Sequence, residues 1–327
     1  MELETDVRLE SLTQWIKRHP GLDKADISVA SADASFRRYF RVTHAGGSLV
    51  AMDAPPEQED VAPFIDITQR LEAAKLRVPH IHASDLQQGF LLLDDLGSQD
   101  FLHGLSRDSV DELYSDALSA LLKIQVADTQ DLPIYNKNLL ASELSLFQDW
   151  YLGVHLGIEL DQDQCEQLGK VFSALIDNAL EQPQVFVHRD YHSRNLMITA
   201  NNNPGIIDYQ DAVLGPITYD LVSLLRDCYI SWPSAQVKTW ALHYRDQAVA
   251  NDLLAPTQDQ QFLRWFDLMG IQRHLKAIGI FSRLNHRDGK SGYLDDIPRT
   301  LNYVLENAPY YGETKPLLKL VNDLCIK

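Results

Sequence analysis

The chain has 327 residues, 45% hydrophobic and 23% charged, with a formal net charge of −17 at pH 7. That length and balance suit a globular protein of two lobes, and the acidity excludes nucleic acid, whose phosphates need a basic face, as partner. No apolar run reaches the ~18 residues of a membrane span.

The acidic opening, residues 1–10, lacks the basic and apolar segments of a secretory signal. Val7, Leu12, Trp15 and Ile16 recur at helical spacing and predict an amphipathic helix ending near Pro20-Gly21. Short β-like runs follow at 26–30, 35–43 and 48–54, the last two joined by the turn signal His44-Ala45-Gly46-Gly47. A helix is predicted over about 60–75, then strands at 81–86 and 90–94. Amphipathic stretches near 108–126, 142–156 and 163–180 predict helices, and helices return after Tyr219. One β island interrupts them. Val185-Phe186-Val187 is followed by strands at 196–199 and 205–208 around the turn Asn201-Asn202-Asn203-Pro204-Gly205. The economical reading is a small α+β lobe over 1–95 and a large helical lobe over 96–327. Cys165, Cys228 and Cys325 stand apart and read as buried or inert thiols in a reducing cytoplasm. A monomer is expected.

Within the island lies His188-Arg189-Asp190-Tyr191-His192-Ser193-Arg194-Asn195. The start of one antiparallel strand lies opposite the end of its partner, so Asn195 and Asp208 are expected side by side, with Asp190 just upstream. Magnesium takes hard oxygen ligands, which Asn195 and Asp208 supply. Phosphoryl transfer needs a carboxylate that accepts the proton of the attacking hydroxyl, and Asp190 fits. The spacing H-R-D-x-x-x-x-N, with an acid after the following strands, matches an ATP-dependent kinase's catalytic and metal-binding loops. Arg189 is placed to hold the loop electrostatically and Arg194 to approach the phosphates.

VHRDYHSRNLM and IIDYQDAVLGPITYDL resemble the aminoglycoside phosphotransferase-like family. That resemblance implies a protein-kinase-like bilobal α+β fold, a small β-rich N-lobe and a large, mostly helical C-lobe. It implies that Asp208 binds magnesium and that Asp220 braces the catalytic loop, though an aspartate there would equally serve as a helix N-cap. Asp211 lies beside the site or faces the substrate. SADASFRRYFRV, VAMDAPPEQED, GFLLLDDLG, RDCYISWP and DLMGIQRHLKAIGIFSRLNHRDGKSGYLDDIPR resemble the bacterial N-acetylmuramate/N-acetylglucosamine anomeric kinases, over residues 31–299. The implied reaction phosphorylates the C1 hydroxyl of amino sugars recovered from cell wall, in the cytoplasm.

Departures from the kinase pattern matter for the nucleotide. No lysine lies between Ala25 and Ala74, and the strand expected to carry the ATP-binding lysine reads Val50-Ala51-Met52-Asp53. The loop at 30–36 lacks glycines. Arg37, Arg38 and Arg41, with Ser31 and Ser35, are the candidate phosphate cradle; strand alternation sends Arg37 and Arg41 to one face and Arg38 to the other. The adenine falls to the segment around Asp94 and Leu96. N-acetylmuramate carries a carboxylate, for which Arg226, Arg273, His274 and Lys276 are candidates; Asp227 would meet sugar hydroxyls and Trp232 would stack. Gly289-Lys290-Ser291 matches the end of a P-loop, but Leu284 occupies the required upstream glycine position. Competing readings are a kinase of an aminoglycoside or choline type, which shares every catalytic residue, and a nucleotide-binding regulatory module.

Overall fold

The computed structural model describes residues 6–31 and 36–325, with residues 31 and 322–325 described by backbone alone. Among these residues the chain divides into two compact units, Met1–Gln99 with Met197–Asp211 and Asp100–Leu196 with Ala212–Lys327.

The first unit opens with α1 (Val7–Lys17), N-capped by Asp6, whose carboxylate accepts from Leu9 N at 3.0 Å. Then come β1 (Asp26–Ser31), β2 (Arg38–His44), β3 (Gly47–Asp53), α2 (Ala62–Ala73), β4 (Ile81–Asp85) and β5 (Phe90–Asp94). The strands form one sheet in the order β1-β2-β3-β5-β4, with every pairing antiparallel. The hairpin anticipated at His44-Ala45-Gly46-Gly47 forms there: His44 pairs with Gly47, and the register runs on to Arg38 opposite Asp53. One face of this sheet (Phe40, Val42, Ala51, Phe90 and Leu92) packs on Leu12, Trp15 and Ile16 of α1. Asp53 is fully buried at the end of β3 and accepts from Arg38 Nε at 3.0 Å and from Arg8 Nε at 3.0 Å, tying α1 to the sheet.

The second unit is mostly helical. It holds α3 (Phe101–Gly104), α4 (Val110–Gln125), α5 (Lys137–Leu146) and α6 (Gln162–Leu180), then β6 (Gln184–Val187). The helix expected over 142–156 starts earlier, because Asn136 caps it at Lys137, and it continues past Leu146 as a π-helical stretch, Phe147–His155. After β6 a 3-10 turn (Ser193–Asn195) leads to β7 (Leu196–Met197), where the chain passes into the first unit and pairs with β8 (Gly205–Ile206). Both strands are shorter than the predicted 196–199 and 205–208. Back in the helical unit, β9 (Val213–Pro216), which the sequence reading missed, pairs antiparallel with β6, Val187 opposite Val213. The chain closes with α7 (Tyr219–Leu225), α8 (Ser234–Ala250), α9 (Asp259–Asp288), α10 (Ile297–Asn307) and α11 (Lys315–Cys325). The 30-residue α9 is the spine of this unit, buried on several sides. A glycine is required at position 279: a Cβ there would stand 2.4 Å from the Leu146 carbonyl carbon. Gly289, at φ +68°, ends α9 as a left-handed cap, which accounts for the glycine of the failed P-loop match. Of the apolar cluster Trp265, Phe266, Leu268 and Met269, the last three are core, while Trp265 is half-buried. Cys228 is buried but Cys165 is exposed. No described helix is long and apolar enough to cross a membrane.

Candidate active site

In the helical unit, the chain leaves β6 through His188 and enters the predicted catalytic loop. Arg189 adopts φ +77°, a left-handed backbone that costs a non-glycine residue about 1–2 kcal/mol. Asp220, in the first turn of α7 and fully buried, holds this turn: its Oδ2 accepts from His188 N at 2.7 Å and its Oδ1 from Arg189 N at 3.0 Å. The bracing role is therefore the one observed, and the N-cap position belongs to Thr218. Burial pushes the Asp220 carboxyl up to about 7, against the pull of the two amides.

The loop is tied at further points. Asp190 N donates to His188 Nδ1 at 3.2 Å, Tyr191 Oη to Ala117 O at 2.8 Å and Ser193 N to Asp227 Oδ2 at 2.9 Å. Asn195 Nδ2 donates to Asp190 O at 3.0 Å, which orients the amide and identifies Oδ1 as its acceptor atom. Asp190 itself is half-buried. Burial raises its pKa, but the fields of Lys276, His192, Arg273 and Arg189 outweigh that and hold the carboxyl below its ordinary value, so it is an anion at neutral pH.

Beneath the loop lies a buried charge cluster that the sequence reading did not anticipate. Glu143 of α5 accepts from Arg189 Nη2 at 2.6 Å and from Lys276 Nζ at 3.0 Å, and is hydrogen-bonded by Tyr135. Lys276 Nζ also donates to Tyr219 Oη at 2.9 Å. Burial opposes the charge on Glu143, yet Lys276 and Arg189 keep its carboxyl below the usual range. The one hint in sequence is an acid on the apolar face of a helix, between the buried Leu140 and Leu144.

The remaining candidates on this unit are distributed around the loop. Arg194 lies exposed, its guanidinium 4.2 Å over the Tyr229 ring. Asp227 is fully buried and also accepts from Tyr229 N at 2.8 Å. Arg226 pairs with Asp267, and His274 contacts Arg226 O at 2.9 Å while stacking on Tyr303. Burial pushes the His274 imidazole down to about 3, so it is neutral. Trp232 Nε1 donates to Tyr114 Oη at 3.0 Å. Arg273 is buried with its Nε unpartnered among the described residues and Cys228 Sγ 3.8 Å from its Nη1.

In the β-rich unit, Asp208 follows β8 at φ +63°, exposed, with its Oδ1 accepting from Gln210 Nε2 at 3.0 Å. Asp208, a predicted site carboxylate, thus shares with Arg189, the neighbour of Asp190, a left-handed backbone rare for a non-glycine residue. The neighbouring Tyr209 is anchored under α2, its Oη 2.8 Å from Thr68 Oγ1 and its ring 5.1 Å from that of Phe64. Arg38 pairs with Asp53 and Asp6, Arg41 with Asp95, and Arg37 with Glu59. Asp94 is contacted by His82 and Arg77, and Leu96 is half-buried. Asp211 is exposed at the end of the 197–211 segment. Ser31 is described by backbone alone, and Ser35 lies outside the described residues. The carboxamide oxygen of Asn195 and the carboxylate of Asp208 are hard donors of the kind magnesium selects, so the residues present fit that ion.

The chain matches the model of the phosphotransferase enzyme family over residues 26–265. It is 46% identical over 332 aligned residues to a Pseudomonas putida protein named N-acetylmuramate/N-acetylglucosamine kinase, covering 98% of each chain. A Pseudomonas aeruginosa protein of the same name is 49% identical over 285 residues, 87% of this chain and 84% of the relative. Among solved structures, the GDP complex of wild-type aminoglycoside 2'-phosphotransferase-IIIa is similar with a TM-score of 0.65 at 15% identity, covering 90% of this chain and 99% of that one. The fold is the protein-kinase-like α+β fold expected from the sequence.

Proposed function

The chain belongs to the phosphotransferase enzyme family, and we propose that it transfers a phosphoryl group from ATP to the anomeric C1 hydroxyl of N-acetylmuramate and N-acetylglucosamine. The observation that carries this reading is the likeness to a sugar kinase along 98% of both chains. The loop held by Asp220 supports it, since an ionised Asp190 set on a braced backbone is what the chemistry requires.

Asp190 orients the acceptor hydroxyl and takes its proton. An anomeric hydroxyl is more acidic than an ordinary alcohol, so a weak carboxylate base suffices and positioning contributes most of the rate. Asn195 and Asp208 are the residues that would hold magnesium, which when bound neutralises charge on the nucleotide's phosphates. Arg194 adds a cation toward the transferred group. Arg273, with an unpartnered buried donor, is the sugar-side group to which an acceptor oxygen would bring a hydrogen bond.

Sugar-dependent ADP release, with phosphorus NMR of the product, tests the reading. Wild type should form a sugar 1-phosphate with ATP, magnesium and N-acetylmuramate. Asp190→Ala and Asp208→Ala should each abolish turnover while circular dichroism shows a folded chain. Near-wild-type turnover in both variants would overturn the assignment. A panel including aminoglycosides and choline reads the substrate class directly.

A further inference from the structure

A kinase needs a fixed cation on the nucleotide's phosphates, and in protein kinases that cation is a β3 lysine held by a glutamate. Here the corresponding strand offers Met52, which is fully buried. Arg38 and Arg41 of the neighbouring strand β2, and Arg37 just ahead of it, differ in what already engages them. Arg38 is fastened to Asp53 through Nε at 3.0 Å and Nη2 at 2.6 Å, and to Asp6 as well. Arg41 is fastened to Asp95 at 2.7 and 3.1 Å and to Gly97 O at 3.0 Å. Both serve the internal architecture of the β-rich unit.

Arg37 differs in position and partner. Tyr39 stands opposite Met52 across β2 and β3, which puts both on one face of the sheet. Arg37 lies immediately ahead of β2, two residues before Tyr39. Its Nη2 donates to Glu59 Oε2 at 3.0 Å, and its side chain is only 11% exposed. Glu59 lies just ahead of α2, so the pair joins the sheet to the segment entering that helix. Burial pushes the Arg37 pKa down, but Tyr39, Glu59 and Asp208 raise it on balance, so it stays a cation in the field of the proposed magnesium ligand.

We propose that Arg37, poised by Glu59, binds the nucleotide's phosphates in place of the missing lysine. The inference rests on the kinase reading above. A guanidinium suits the task, since its planar fork meets two phosphate oxygens at once.

Isothermal titration with MgADP and, separately, with adenosine tests it, using wild type, Arg37→Met and Arg37→Lys. Arg37→Met should weaken MgADP binding about 10- to 100-fold, the range for one charge-assisted contact, and leave adenosine binding unchanged. Arg37→Lys, which keeps the charge but not the fork, should recover only part of the loss. In turnover, KM for ATP should rise in Arg37→Met while KM for the sugar stays put. Unchanged MgADP affinity in Arg37→Met would overturn the proposal, as would a parallel loss of adenosine, which would mark Arg37 as purely structural. Failure of wild type to bind MgADP would instead refute the kinase reading itself.

Discussion

Replacing Asp220 by asparagine separates what this residue does for stability from what it does for catalysis. Asp220→Asn keeps one acceptor for the amides of His188 and Arg189 but turns an NH2 toward the other, so one buried N–H loses its partner at a cost of about 1–3 kcal/mol. Against this, the variant is relieved of a buried charge. The rise of the carboxyl from 3.8 to about 7 corresponds to roughly 4 kcal/mol against the ionised form. At pH 8 the two effects nearly offset each other, and unfolding free energies should agree within about 2 kcal/mol. Because the folded pKa is raised, the Asp220 contribution is fullest below about pH 4 and is lost as pH rises through 7. Wild type should therefore gain about 3 kcal/mol on the variant between pH 8 and pH 5, read from denaturant midpoints. Catalysis should respond differently. The left-handed Arg189 backbone would relax without its second tether, and a displacement of Asp190 near 1 Å costs about 100-fold in kcat. A kcat within twofold of wild type would refute the idea that this carboxylate sets the geometry of the loop.

Two further substitutions probe the helical unit. Glu143→Gln leaves Arg189 and Lys276 buried beside a neutral amide and should cost about 3–5 kcal/mol in urea unfolding at pH 7. Since the Glu143 pKa is lowered, its contribution is present above the ordinary carboxylate range, and the gap between wild type and variant should narrow as the pH falls below that range. Gly279→Ala drives a methyl into the Leu146 backbone and should cost about 1–3 kcal/mol, visible as a lower midpoint with an unchanged m-value.

Local signals made much of this architecture readable. The hairpin between β2 and β3 announced itself through its glycine turn, and α6 through the amphipathic spacing over 163–180. The loop proposed to be catalytic drew attention because its residues are contiguous and their spacing is chemical. What escaped depended on distant partners. Val213–Pro216 becomes a strand only because β6 offers it an edge, and it contains a glycine and a proline that argue against a strand. The start of α5 hinged on Asn136, one residue in a polar stretch. Glu143, Lys276 and Tyr219 meet through tertiary packing, and each in isolation looks like an ordinary helix residue.

The small unit is not written as one uninterrupted stretch of chain. Residues 197–211 complete it, bringing Tyr209 under Thr68 and Gly205 to a bridge with Arg77. During vectorial synthesis the ribosome must therefore make all of Asp100–Leu196 before the nascent β-rich unit receives its last piece. For the same reason a fragment cut after Gln99 would leave the Thr68 hydroxyl without Tyr209 and the Arg77 strip without its bridge. A separable β-rich module would have to be built by grafting the 197–211 segment back through a linker.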